Sequence, residues 1–259
     1  MAPILSLRDV SRDFVTRGKT ITAMAAVSLD VGAGEFLTVV GPSGCGKSTL
    51  LNIVCGLLAP SRGSVLYKGA RLTGVNTEIG YVTQADNLYP WRTLRENVEF
   101  PLEVRGVARG ERRARAAALI ERVGLAGFEE HYPYELSGGM RQRANIIRTL
   151  VYDPEVILMD EPFGPLDAQT RLLLQDQLLK LWDGARKTIV FITHDLGEAV
   201  ALADRVVVMT ARPGTVKRIC PVPLTRPRDL FHLHDDEGFR QTYDTLWDDL
   251  EAEVRRAPA

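Results

Sequence analysis

The sequence predicts an α/β fold, a parallel sheet that carries an inserted helical block. Three observations predict it. A strand at 36–40, apolar on both faces, runs through a glycine-rich loop into an apolar-periodic helix at 47–58. Strand–helix alternation returns downstream, with strands at 156–159 and 188–193 each followed by a helix, 167–182 and 195–203. Between these two stretches, from 85 to 152, the texture is helical. Alternation on both sides of a helical block implies one parallel sheet interrupted by a subdomain.

β-like runs occupy 4–10 and 21–31. The run at 36–40 has no polar face, which suits a buried strand. The helix after the loop is closed by Pro60 and Gly63. Within the helical block, 111–123 (ERRARAAALIERV) is rich in strong helix formers and stops at Gly124, a natural C-cap. Its Arg112, Arg113 and Arg115 fit a solvated helix face. A second helix should run from the glycine pair at 138–139 to about 152. After the strand at 188–193, Asp195 and Glu198 have the spacing of a capping box. A last strand lies at 205–210, and Pro227 introduces a polar tail with a final helix near 236–255.

Composition narrows the function. The 259 residues are 45% hydrophobic and 25% charged, enough for one large domain or a domain plus a subdomain. With 32 Lys+Arg against 33 Asp+Glu, the net charge of −1 lacks the basic footprint of a general nucleic-acid binder, so no nucleic-acid partner is expected. Cys45, Cys55 and Cys220 are too few and too scattered for a disulfide framework or a metal cluster, and read as packing residues. Cys45 sits inside a glycine-rich loop, where it would be open to modification. The N-terminus has neither signal-peptide nor transit-peptide form. The longest apolar stretch, 50–59, contains Asn52 and falls short of the roughly 20 residues a bilayer needs. A soluble chain is expected, with any membrane connection made through a partner.

Three motifs carry chemistry. GPSGCGKST at 41–49 matches G-x-x-x-x-G-K-[ST] between a strand and a helix. Gly41, Pro42, Ser43, Gly44, Cys45 and Gly46 form a loop whose backbone N–H groups can turn toward phosphate oxygens. Lys47 would reach the β- and γ-phosphates, Ser48 would ligate Mg²⁺, and Thr49 with the helix N-terminus adds donors and about half a positive charge. The run VILMDE at 156–161 delivers Asp160 to the end of a buried strand, where it can hold Mg²⁺ through water. Glu161 follows directly, and two adjacent carboxylates at such a place are costly unless a metal or a reaction uses them. LSGGMRQ at 136–142 opens a helix with Ser137, Gly138 and Gly139, a second anion-binding helix N-terminus. One nucleotide does not need two such sites. The economical solution is a two-fold dimer in which each copy lends one half-site to each of two nucleotides.

With these motifs in their order and spacing, the chain resembles the ABC ATPase family over nearly its whole length. GPSGCGKST resembles the Walker A motif, Gln84 the Q-loop, LSGGM the signature, VILMDE the Walker B motif, Leu166–Asp167 the D-loop and His194 the switch histidine. The resemblance implies a P-loop NTPase (RecA-like) core with an N-terminal antiparallel β subdomain and an inserted α-helical subdomain. The core would take 1–84 and 153–225, the helical subdomain 85–152 and a C-terminal tail 226–259. It implies ATP and Mg²⁺ as ligands, Glu161 as the base that polarises the attacking water, and His194 and Lys47 on the γ-phosphate. It further implies Gln84 beside Mg²⁺ and water, and Ser137, Gly138, Gly139, Met140 and the D-loop's Asp167 among the nucleotide-binding residues, with Ser137 and Gly139 on the partner's γ-phosphate. Family members stack adenine on an early-strand aromatic, a place that Phe14 occupies, although an aromatic on a strand is commonly core.

Two departures stand out: Met140 where the family more often has Gln, and Pro165 in the D-loop where Ala is usual. Proline fixes φ and removes a donor, so the D-loop contacts could differ. Leu88, Tyr89 and Trp91 follow Gln84 in a segment expected to be exposed. Apolar residues there suggest an interface, and packing within the helical block is the alternative. By resemblance that region receives the membrane subunit. QADNLYPWRT, DEPFGPLDAQTR and DRVVVMTARPG are similar to the ATPases of nitrate/sulfonate/taurine-type importers. Such ATPases pair as two copies with two transmembrane permease subunits and, indirectly, a solute-binding protein, at the cytoplasmic side of the inner membrane. The competing class is a soluble ABC ATPase not coupled to transport.

Overall fold

The computed structural model describes residues 2–16, 18–164, 166–185 and 187–256, with the backbone alone at 181 and 183–185. The first half holds β1 (Leu5–Thr16), β2 (Lys19–Val31), β3 (Phe36–Val40), α1 (Lys47–Val54), β4 (Arg62–Tyr67), β5 (Ala70–Arg71) and β6 (Ile79–Val82). Three helices follow, α2 (Leu94–Val104), α3 (Arg109–Arg122) and α4 (Gly138–Leu150). The remainder is β7 (Val156–Asp160), α5 (Ala168–Ala185), β8 (Thr188–Ile192), α6 (Leu196–Leu202), β9 (Arg205–Met209), β10 (Val216–Pro221) and α7 (Glu237–Arg256).

The strands form two sheets. Six strands in the order β10-β9-β3-β8-β7-β6 make the central sheet, in which β9, β3, β8, β7 and β6 run parallel and β10 antiparallel. Four strands in the order β2-β1-β4-β5 make an antiparallel sheet. This is the predicted α/β core with its antiparallel β subdomain.

The period-2 alternation of a strand explains why β3, β7 and β8 carry no polar face. Phe36, Ile157, Met159, Ile189 and Phe191 point into the core shared with α5, α6 and α7. Leu37, Val39, Val156, Leu158, Val190 and Ile192 point into the second core, against α1 and the β1–β2 sheet. Each side chain is sealed from water on its own side, and truncating one such as Phe191 to Ala should cost about 3–5 kcal/mol. A third apolar cluster, with Leu94, Val98, Ile120, Leu136 and Ile147, lies within the helical block. Among the described residues no helix is long and apolar enough to cross a membrane.

Several expectations need correction. The helix after the phosphate loop ends at Val54, not near 58, because Gly56 adopts φ 79° and a Cβ there would lie 2.0 Å from the Gly74 carbonyl oxygen. Only half of the expected capping box on α6 forms. Asp195 accepts from the Glu198 N–H at 3.1 Å, but the Glu198 carboxylate turns inward to Thr193 Oγ1 at 2.5 Å and Gln175 Nε2 at 3.0 Å. A complete box, Thr93 with Glu96, opens α2 instead. Cys45 has no exposed surface and burial raises its thiol pKa, so it is not open to modification. Leu88 is buried in the helical block's own core, while Trp91 is 71% exposed.

Candidate nucleotide-binding site

The phosphate loop takes its shape from its glycines. Gly44 and Gly46 adopt φ 72° and 100°, where any other residue would be strained. A Cβ on Gly46 would also meet Met24 Cγ of β2 at 2.6 Å. Gly46 caps α1, and the N–H of Leu50 bonds the Gly46 carbonyl at 2.8 Å. Lys47 is buried, and its ammonium donates to the carbonyls of Gly41 at 2.8 Å and Pro42 at 3.1 Å. That leaves one of its three protons for a phosphate oxygen. Ser43, Gly44 and Ser48 are exposed, Thr49 is half-buried, and Pro42 and Cys45 form the buried underside.

Asp160 ends β7 with only 7% of its surface exposed. Burial pushes its carboxyl up from the usual range, the Ser48 hydroxyl pulls it back, and Glu161 pushes it further up. Asp160 in turn helps to raise the Tyr81 phenol, on which burial acts most strongly. A desolvated carboxylate touching the loop's serine is a group that a bound cation would stabilise. Among the described residues no cluster of three or more His, Cys, Asp or Glu could hold a metal unaided. The donors present, one carboxylate, one hydroxyl and the Gln84 amide, fit Mg²⁺, which keeps waters and shares phosphate oxygens.

Glu161 is held in the left-handed region at φ 45°, its N–H bonded to the Ile192 carbonyl at 3.0 Å. A non-glycine residue in that region costs energy that the surrounding fold must supply. The result is convergence. Gln84 Nε2 donates to Glu161 Oε2 at 3.2 Å, and His194 Nδ1 lies 3.3 Å from the same oxygen. Three residues from the ends of β6, β7 and β8 thereby meet on one carboxylate.

The second helix N-terminus is simpler. Ser137 caps α4, its hydroxyl accepting from the Met140 N–H at 3.3 Å. Ser137 and Gly138 are exposed, and a Cβ on Gly138 would meet nothing within 4 Å. Gly139 is tighter, with Thr170 Cγ2 3.1 Å from where its Cβ would be. The half-buried Met140 packs against the helical block's core. Asp167 spends its carboxylate on the Thr170 N–H at 3.0 Å, which caps α5 and lowers its pKa. Pro165 lies outside the described residues. Phe14 is half-buried on β1, with the Arg12 guanidinium 4.8 Å above its ring.

A clamp between these parts is not among the sequence motifs. Arg141 pairs with Asp86 at 3.0 Å, Asn145 donates to the Thr83 carbonyl at 3.1 Å, and Arg148 donates to the Asp86 carbonyl at 2.9 Å. All three sit on α4, and together they hold the segment that flanks Gln84. Their spacing, 141, 145 and 148, is that of one helix face, a signal available in the sequence.

A family model described as ABC transporter matches residues 24–164. The chain is 46% identical to a taurine import ATP-binding protein of Roseobacter denitrificans, over 85% of this chain and 82% of that protein. It is 44% identical to a nitrate import ATP-binding protein of a Synechocystis strain, over 83% of this chain and 80% of that protein. Among solved structures, the dimer of an ATP-binding cassette in a post-hydrolysis state with ADP and Pi resembles it with a TM-score of 0.77. Identity there is 33%, covering 85% of this chain and all of that one.

Proposed function

The chain belongs to the ABC transporter family as an ATP-binding subunit and is an ATPase; we propose that it drives uptake of a small solute through separate membrane subunits. The solute class we favour is nitrate, sulfonate, taurine or a similar small molecule. In this reading two copies face each other, and each ATP lies between the phosphate loop of one and Ser137–Gly139 of the other.

The observation that carries the reading is the convergence of Gln84, Glu161 and His194 on one carboxylate oxygen beside the loop. Lys47, Ser43 and the N–H groups of 44–49 bind and orient the phosphates. Mg²⁺, when bound, neutralises phosphate charge, and Ser48, Asp160 and Gln84 are the residues that would hold it. Glu161 accepts a proton from the attacking water, Gln84 fixes the carboxylate's direction, and His194 donates to the γ-phosphate. Phosphoryl transfer asks mainly for such positioning and charge neutralisation. Phe14 supplies a ring for adenine. When the γ-phosphate is lost, nothing charged links the two copies and they separate.

We assign 85–152 as a helical unit and 226–259 as a C-terminal tail of an otherwise continuous core. The helical unit's separate apolar cluster supports the first division. It also bears the surface through which a membrane subunit would be driven. Exposed Trp91 packs tilted against Tyr89, ring centres 5.5 Å apart, next to a cavity of about 380 Å³ lined by Tyr81, Tyr89, Phe100, Val104 and Arg148. The protein then sits on the cytoplasmic side of the membrane, held there by its permease.

The test is Glu161→Gln. ATP binding should persist, while turnover falls by about 10²- to 10⁴-fold, the range of a lost general base. Turnover within a few-fold of wild type would refute the role given to Glu161.

A further inference from the structure

The hairpin between β9 and β10 and the C-terminal helix play no part in the reading above, yet the hairpin touches the phosphate loop and the helix holds the hairpin. Arg212, at the hairpin tip, donates from Nε at 3.2 Å and Nη2 at 3.1 Å to the carbonyl of Gly44. Two residues on, Gly214 approaches so closely that a Cβ there would lie 1.9 Å from the Cys45 carbonyl oxygen. The carbonyls of Gly44 and Cys45 therefore both face the hairpin. A trans peptide points its N–H opposite to its C=O, so the N–H groups of Cys45 and Gly46 are directed away from the hairpin. The N–H of the peptide that Arg212 grips, Cys45's, bonds the Pro42 carbonyl at 3.3 Å. A charge-assisted bond to the Gly44 carbonyl therefore polarises the peptide and tightens the turn that aims the next N–H groups.

The hairpin is itself pinned on two sides. Gly214 bridges β2, its N–H bonded to the Ala23 carbonyl at 2.9 Å and its carbonyl to the Ala25 N–H at 3.0 Å. From the other side, Glu253 of α7 accepts the Ala211 N–H at 3.0 Å, and it also pairs with Lys217 at 3.1 Å. Glu253 is 3% exposed. A carboxylate that deeply buried is costly unless paired, so its bond to the hairpin resists displacement.

We propose that Arg212 is a positioning residue of the phosphate loop, and that Glu253 holds the hairpin bearing it, making the C-terminal helix a determinant of ATP affinity. The inference rests on the loop's reading as the ATP site, and acts through the loop's peptides without Arg212 touching the nucleotide.

Equilibrium binding of ATP to the purified full-length subunit tests it, with steady-state ATPase kinetics and melting curves on the same samples. Arg212→Ala should weaken ATP binding and raise KM by roughly 5- to 20-fold, the low end of coupling between linked sites. At saturating ATP, kcat should stay within about twofold, the pattern of lost ground-state binding. Arg212→Lys should recover part of the affinity. Glu253→Gln should weaken binding in the same direction but less. The double variant should bind about as weakly as Arg212→Ala alone, less than the sum of the two effects, since the two act on one path, and full additivity would contradict that path.

Lys47→Ala serves as the control on the site itself. Wild-type affinity in Arg212→Ala, alongside lost binding in Lys47→Ala, would overturn the inference and leave the ATP site standing. Wild-type affinity in both would overturn the reading of the loop. A Glu253→Gln protein that melts earlier but binds ATP normally would remove the C-terminal helix from the proposal.

Discussion

Around Lys47 the chain braces its first glycine loop from several sides and leaves its Ser43–Gly44 and Ser48 face exposed, whereas around Gly138 it leaves the second unbraced. The first loop has a buried lysine bonded to two of its carbonyls, a hairpin on its outer face and a buried aspartate beside its serine. The second has a serine cap and exposed glycine backbone. Both are helix N-termini that favour an anion. The difference fits the proposal above, in which the first is a site within one chain and the second is a donor surface that another molecule completes. The dimeric cassette that this chain resembles is consistent with a second copy in that place.

Substitutions in the two loops should therefore fail differently. Lys47→Ala removes a charge-assisted contact of about 2–3 kcal/mol, and ATP affinity should fall roughly 30- to 150-fold in a binding titration. Retained affinity would break the comparison from the first side. Gly138→Asp should leave ATP binding by the single chain intact, because the position is open and far in sequence from the phosphate loop. An acidic residue in a helix's first turn is even favourable, by about 0.3–1 kcal/mol, so melting should not drop. Facing a γ-phosphate across a dimer it repels, and turnover should fall by at least about tenfold, one decade per 1.4 kcal/mol of lost stabilisation. Normal turnover in Gly138→Asp would mean that the second loop does not take part.

The smallest effect sharpens the contrast at Asp160. Burial raises its folded-state pKa, so the folded chain binds that proton more tightly than the unfolded chain does. The associated stability is full at low pH and is lost as pH rises from about 4 through the folded pKa. Asp160→Asn should abolish this loss. Its melting temperature at pH 8 should exceed that of wild type, read in a thermal melt. The same variant should bind ATP with a weaker response to Mg²⁺. A variant that melts lower than wild type at pH 8 would contradict the cost assigned to the buried carboxylate.

Much of this was legible before any coordinates. β3, β7 and β8 could be read because burial on both faces leaves them almost wholly apolar, with Thr38 the one polar residue inside a run. The phosphate loop could be read because glycine adopts φ 72° and 100° at Gly44 and Gly46 without strain. Shorter pieces were not. β5 is two exposed residues, and β6 has four including Gly80, which is there because a Cβ would lie 2.8 Å from Thr149 of α4. α2 was lost within an undivided helical block, since Pro101 interrupts its pattern, although its buried Leu94, Val98 and Leu102 keep a spacing of four. The motif positions could be named from the sequence, but their meeting on one oxygen of Glu161 could not. That depends on three loops brought together by strand order. The grip of Arg212 on Gly44 was equally invisible, because the two residues are 168 positions apart.

The half-site account is tested most directly by the oligomeric state of the hydrolysis-impaired subunit. Sedimentation velocity on Glu161→Gln should show one chain per particle without nucleotide and two with ATP and Mg²⁺. Adding Gly138→Asp to that protein should return it to single chains while bound ATP remains. If Glu161→Gln stays a single chain with saturating ATP and Mg²⁺, in detergent solution with its membrane partner as well as alone, the second loop is not half of a shared site.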